Sequence, residues 1–137
     1  MATQKRTRGE RNNNPLNIRH NEANKWKGLV GHDDKWFCIF ATMQDGINAA
    51  ARCIYVYMTR HNLDSIPLII SRWAPACEND VEAYIKTVCR LSGCNRNHHF
   101  EPTEDFFLKL LPAMARVESQ IYLSREQVRE AYRKAVH

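Results

Sequence analysis

Long apolar runs are missing from this chain of 137 residues. Nothing in it approaches the roughly 20 consecutive apolar residues that a membrane-spanning helix needs, so no span is expected. Met1 to Arg8 is basic and polar with no apolar centre, which excludes a secretory signal. The expectation is synthesis in the cytoplasm, with any action at a cell wall following release, lysis or incorporation into a virion. Cys-x-x-Cys pairs are also missing. Cys38, Cys53, Cys77, Cys89 and Cys94 are odd in number and lack framework spacing, so a disulfide scaffold is excluded and reduced thiols are the default. Joining Cys77, Cys89 and Cys94 with His98 and His99 into a zinc site would require spacings unlike those of closely paired ligands. Neither a metal nor a cofactor is expected. There is no internal repeat, no linker and no Ser-His-Asp arrangement, and His98-His99 beside Cys94 has nothing in sequence to orient it.

What is present reads as one ordinary globular domain, with 44% hydrophobic and 26% charged residues. Residues 1–8 form a basic arm and residues 9–137 a single domain. The net charge of +5 favours a polyanionic partner such as nucleic acid, teichoic acid or an anionic cell wall. Beyond the first eleven residues the basic side chains are spread out, which makes nucleic acid the weakest of these expectations.

The patterning predicts a mainly α fold with a small β-element near the N-terminus, hence α+β. Trp26-Lys27-Gly28 and Trp36 to Phe40 read as short strands or extended arms, punctuated by Gly28, Gly31 and Asp33-Asp34. Thr42, with Asp45 three residues on, caps a helix whose buried face carries Ile47, Ala51, Ile54, Tyr55 and Met58. A short helix starts at Asp64-Ser65-Ile66-Pro67 and stops at Ala74-Pro75. Asn79 with Glu82 offers the next cap, and Gly93 the next stop. Thr103 opens a long helix that Pro112 should kink or split. Ser124 and Gln127 form a capping box for the last helix.

Arg8 to Arg19, Arg-Gly-Glu-Arg-Asn-Asn-Asn-Pro-Leu-Asn-Ile-Arg, is the least ordinary stretch. Asparagine amides compete with the backbone and Pro15 removes a donor, so a tight loop is expected rather than a helix. Its amides suit a polar, uncharged ligand such as an N-acetylated sugar. They suit equally well a loop that braces itself.

Glu118 is the acidic residue that falls on an apolar stripe, in line with Phe107, Leu111, Met114 and Ile121. Such a setting raises a carboxyl's pKa, as general acid catalysis on a glycoside requires. The alternative is a structural ion pair with Arg52 or Arg72. Glu10, between Arg8 and Arg11, and Glu78, ahead of a helix, are the competing carboxylates. Positive neighbours favour ionisation of Glu10, and a helix N-terminus accounts for Glu78. Trp73 at a helix end is the best groove wall among the tryptophans, whereas Trp36 beside Phe37 and Phe40 reads as core.

The Arg8–Arg19 string resembles the opening signature of a family of small phage and prophage proteins of lysozyme-like, peptidoglycan-cleaving character. The resemblance runs through Trp26, Gly28, Phe40, Gly46 and Arg72-Trp73-Ala74-Pro75 to Glu78-Asn79 and Tyr84-Ile85. Leu16, where Gly is common, and Ala76, where Pro is usual, depart from it. Ala113 to Ser119 is similar to the helix end of lytic transglycosylases, in which a catalytic glutamate is followed by serine. The resemblance implies a peptidoglycan glycosidase of the lytic transglycosylase or glucosaminidase kind, acting on glycan strands. Glu118 would then be the acid, with Glu10 and Glu78 as the next candidates. Asn12, Asn13, Asn14, Asn17, Arg19, Trp73 and Tyr84 would be the substrate contacts. In such enzymes the glutamate precedes the β-region, and here it follows, so a circularly permuted lysozyme-like fold is expected. Two other functions stand beside this one. The first is a non-catalytic wall-binding or virion module with lysis-system or virion partners. The second is a small basic nucleic-acid-binding protein that uses the arm Lys5-Arg6-Thr7-Arg8.

Overall fold

A computed structural model describes residues 6–74 and 80–137. Six helices and a two-stranded sheet follow one another as α1 (Arg8–Asn12), β1 (Leu29–His32), β2 (Cys38–Phe40), α2 (Met43–Arg60), α3 (Ile66–Trp73), α4 (Val81–Ser92), α5 (Glu104–Ser119) and α6 (Arg125–Ala135). The mainly α expectation with a small early β-element therefore holds among the described residues.

The helix starts follow local chemistry. The side chains of Thr42, Ser65, Thr103 and Ser124 each accept from the backbone N–H three residues on, and Gln127 completes the box at Ser124. Gly93 ends α4 in the left-handed region at φ 74°. The cap of α4 is Asp80, whose side chain accepts from Ala83 N–H. Asn79, expected in that role, lies outside the described residues, as do Pro75, Ala76, Cys77 and Glu78.

Several expectations need correction. The first residues of the Asn-rich stretch are helical, because Thr7 and Glu10 form a capping box around one short turn and Asn13 closes it at φ 52°. Asparagine tolerates that left-handed conformation better than most residues. Thr7 Oγ1 donates to Ser119 O at 2.8 Å, tying the residue ahead of α1 to the end of α5. Finally, α5 runs unbroken through Pro112, so the helix is not split there. Pro112 and Leu108 are both partly exposed, so the Leu108 carbonyl left without its donor is not sealed in the core.

β1 and β2 pair antiparallel, Leu29 opposite Phe40 and His32 opposite Cys38, with a bulge between Leu29 and Gly31. The first strand starts after Trp26-Lys27-Gly28, which instead form a turn with Leu29 N–H bonded to Trp26 O at 3.2 Å. Gly28 in that turn has φ 81°. Trp36 is not core: it is 54% exposed and stacks on His32 with ring centroids 4.1 Å apart. The core lies between the helices. Ile47 and Ile54 of α2 are fully buried with Ile66, Ile69 and Ile70 of α3, Val88 of α4, Phe107, Leu110, Leu111 and Met114 of α5, and Val128 and Ala131 of α6. Helices α2 and α6 pack along each other, and α5 is held between α4 and α6. No helix among the described residues is long and apolar enough to cross a membrane.

Candidate functional site

Three of the four asparagines in the opening stretch act as braces. Asn14 is fully buried; its Nδ2 donates to Ile18 O and to Cys38 O at 3.0 Å each, and its Oδ1 accepts from Ile18 N–H at 2.9 Å. Asn13 Nδ2 donates to Phe40 O at 3.0 Å, and Asn12 Nδ2 to Asp33 Oδ2 at 3.0 Å. These amides stitch the loop to the hairpin, and Asn12, Asn13 and Asn14 are absent from the lining of the cleft that Asn17 borders.

Asn17 differs. In the left-handed conformation (φ 52°), it turns its amide toward α5, where Nδ2 lies 3.1 Å from both Glu118 O and Glu118 Oε1. Both partners are acceptors, which fixes the amide's orientation. On the other side, Tyr84 Oη of α4 donates to Glu118 Oε2 at 2.9 Å. Close packing makes this approach possible. A Cβ on Gly9 would stand 1.9 Å from Ser119 Oγ, so only glycine lets α1 lie against the end of α5. Ser119 Oγ itself donates to Pro15 O at 2.8 Å.

The Glu118 carboxyl sits on an open cleft of about 890 Å³, walled by Asn17, Ile18, Arg19, Phe37, Tyr57, Trp73 and Tyr84. Burial raises its pKa above the ordinary 4.5, and the bonds from Asn17 and Tyr84 only partly offset this. Burial first, and then the charge of Glu118, hold the Tyr84 phenol well above 10, so it remains a neutral donor. Neither arginine proposed as an ion-pair partner is spent on Glu118. Arg52 Nη1 donates to Ala135 O at 2.5 Å, and the Arg72 guanidinium carbon lies 5.7 Å from the Tyr57 ring centroid. Trp73 is anchored as a wall by its Nε1, which donates to Leu16 O at 2.9 Å. Cys53 also lines the cleft, but burial pushes its thiol up to about 12, so it offers no thiolate.

Of the competing carboxylates, Glu10 Oε1 accepts from Thr7 N–H at 2.8 Å. That cap, with its hydrogen bonds, keeps Glu10 below 4.5 and away from the cleft lining. Glu78 lies outside the described residues. Sequence reasoning missed Arg8, His20, Lys35, Phe37 and Tyr57 as cleft residues. One signal was available: Thr7-x-x-Glu10 is a capping-box pattern, and it positions Arg8.

A protein of the bacteriophage PM2 of Pseudoalteromonas, protein P5, is 39% identical over 115 residues, covering 82% of this chain and 71% of the phage protein. The chain belongs to the P5 family. No family model matches the sequence. The P5 relationship thus ties the chain to a bacteriophage protein, and the chemistry is argued from the cleft.

Proposed function

We propose that this P5-family protein is a peptidoglycan glycosidase, a lytic transglycosylase in which Glu118 is the single acid and base. The observation that carries the reading is a partly buried carboxyl with a raised pKa, held at both oxygens and set on an open cleft. A protonated Glu118 donates to the glycosidic oxygen of a bound strand. The resulting carboxylate then takes the proton of the sugar's own hydroxyl as that hydroxyl closes the anhydro ring. Asn17 Nδ2 is only a donor, so Oε1 stays an acceptor and the acidic proton belongs on Oε2, beside the Tyr84 hydroxyl. Asn17 and Tyr84 are positioning residues. Trp73, and Arg19 further along the wall, face the strand. Among the described residues lining the cleft, Glu118 is the one acid, which favours a single-carboxyl mechanism over a paired-carboxylate retaining lysozyme.

The fold we propose for this chemistry is lysozyme-like and circularly permuted. Support comes from the early loop meeting the late helix. Asn17 contacts Glu118 and Pro15 contacts Ser119, so the β-region and the glutamate-bearing helix are neighbours despite their reversed order. The bacteriophage relative agrees with a role in a virion or lysis system acting at the wall.

Zymography on peptidoglycan tests the reading with wild type and Glu118→Gln. Clearing by the wild type and none by a folded variant is the expected result. Equal clearing by both removes Glu118 from the acid role. Clearing by neither favours a module that binds the wall without cleaving it.

A further inference from the structure

The cleft is strongly one-sided in charge. Among the described residues that line it, Arg8, Arg19, Lys35 and Arg72 are cations and Glu118 is the one acid, partly buried and held toward its neutral form. Two of the cations gather around a single ring, on a lining that Lys35 shares. The guanidinium carbons of Arg8 and Arg19 each lie 4.4 Å from the Phe37 centroid, and Arg19 Nη1 donates to Lys35 O at 3.4 Å. Asp33, which lies against Arg8, is already engaged. Asp33 accepts from the Lys35 and Phe37 N–H groups at 2.9 Å each and from Asn12 Nδ2 at 3.0 Å. It also sits 3.5 Å from Arg8 Nε, in a contact that supplies charge but no aligned hydrogen bond, since that buried Nε has no hydrogen-bond partner. One carboxylate shared in this way does not balance Arg8 and Lys35, even leaving Arg19 aside.

Like charges held together on one wall of a cleft repel one another, and they are relieved when an anion enters. A planar guanidinium stacked on a phenyl ring is pre-oriented for a carboxylate, which it can meet with two parallel N–H groups. A neutral N-acetylated polymer would leave this field unused.

We propose that the Arg8–Phe37–Arg19–Lys35 end of the cleft is a carboxylate subsite, so that the substrate is a glycan carrying acidic substituents, such as peptide side chains, and not a neutral chitin-like strand. The inference rests on the glycan-cleaving reading of the same cleft. It gives the opening Arg-rich stretch a second role, since the segment that docks on α5 also selects for charge.

A binding titration with full-length Glu118→Gln, which cannot consume its ligand, tests this beside cleavage by the wild type. Four probes are used: neutral chitin oligosaccharides, glycan fragments bearing free-carboxyl peptides, the same fragments with those carboxyls amidated, and a single-stranded oligonucleotide. The carboxyl-bearing glycan should bind about tenfold tighter than the other two glycans, and added salt should shrink that gap. Adding Lys35→Gln, or Arg8→Gln, should collapse the ratio toward one, and Lys35→Arg should restore it. Equal binding of free and amidated fragments overturns the subsite, as does a preference for the oligonucleotide over every glycan. If the preference is found but wild type cleaves nothing, the subsite stands and the enzymatic reading falls. If cleavage is found without the preference, the reverse holds.

Discussion

Asn17 Nδ2 lies 3.1 Å from Glu118 Oε1, across 101 residues of sequence, and the same amide nitrogen is 3.1 Å from the Glu118 carbonyl. One side chain of the opening loop thus sets both the position of the helix end and the environment of the carboxyl it presents.

Removing that amide should shift the acidity of Glu118 in a known direction. The Asn17 bond favours the charged form, so its loss raises the Glu118 pKa further. In Asn17→Ala, the falling limb of the pH–rate profile, where the acid loses its proton, should move to higher pH. Tyr84→Phe should move it the same way, because Tyr84 also donates to the carboxylate. A limb that moves down, or stays in place in both variants, would mean that these contacts do not tune the acid.

Asn14 should behave differently from Asn17. Asn14→Ala deletes three bonds and strands Ile18 N–H, Ile18 O and Cys38 O in the interior. A loss of roughly 3 kcal/mol is expected by denaturant titration, since buried unsatisfied groups carry their full desolvation cost. KM of the surviving folded protein should be unchanged, which kinetics at low temperature without denaturant would check.

Gly9 tests the docking of α1 on α5. The Cβ of Gly9→Ala would meet Ser119 Oγ at 1.9 Å, Ser119 Cβ at 2.5 Å and Asn14 O at 2.9 Å. A destabilisation of about 1–3 kcal/mol is expected from the overpacking. Adding Ser119→Gly should recover part of it, because two of the three clashes disappear while Asn14 O remains.

These contrasts explain how much was legible beforehand. The caps at Thr42, Thr103 and Ser124 and the stop at Gly93 depend on residues within four positions, so the sequence displays them. Glu118 was also visible, because its helical spacing from Met114 and Leu111 puts it at the end of a buried stripe. The division of labour among Asn12, Asn13, Asn14 and Asn17 was not. Four chemically identical amides differ only in which partners the hairpin and α5 bring to them. Trp36 misled for a related reason. Its neighbours suggested burial, but its left-handed backbone (φ 68°) turns it out to stack on His32. The gathering of Arg8 and Arg72 with Lys35 and Phe37 at one cleft likewise needs the fold, since no local spacing joins either arginine to that pair.

Stability should carry the signature of the buried acid. Glu118 is raised in the folded state above its ordinary 4.5, so between 4.5 and the raised value the native state binds more protons than the unfolded one. Its contribution to stability is complete below pH 4.5 and is lost as pH rises through the folded pKa. Glu118→Gln, which never ionises, should therefore melt above wild type at neutral pH, and the gap should close as pH falls toward 4.5. Thermal melts across that range check this, and a variant that is less stable at neutral pH would contradict it.

The most direct measurement is product analysis by mass spectrometry after purified peptidoglycan glycan strands are incubated with wild type and with folded Glu118→Gln. Wild type should release fragments whose ends are one water lighter than a hydrolysed end, as closure by the sugar's own hydroxyl requires, and the variant should release none. Fragments of the same kind from Glu118→Gln at the wild-type rate would contradict the assignment of Glu118 as the acid.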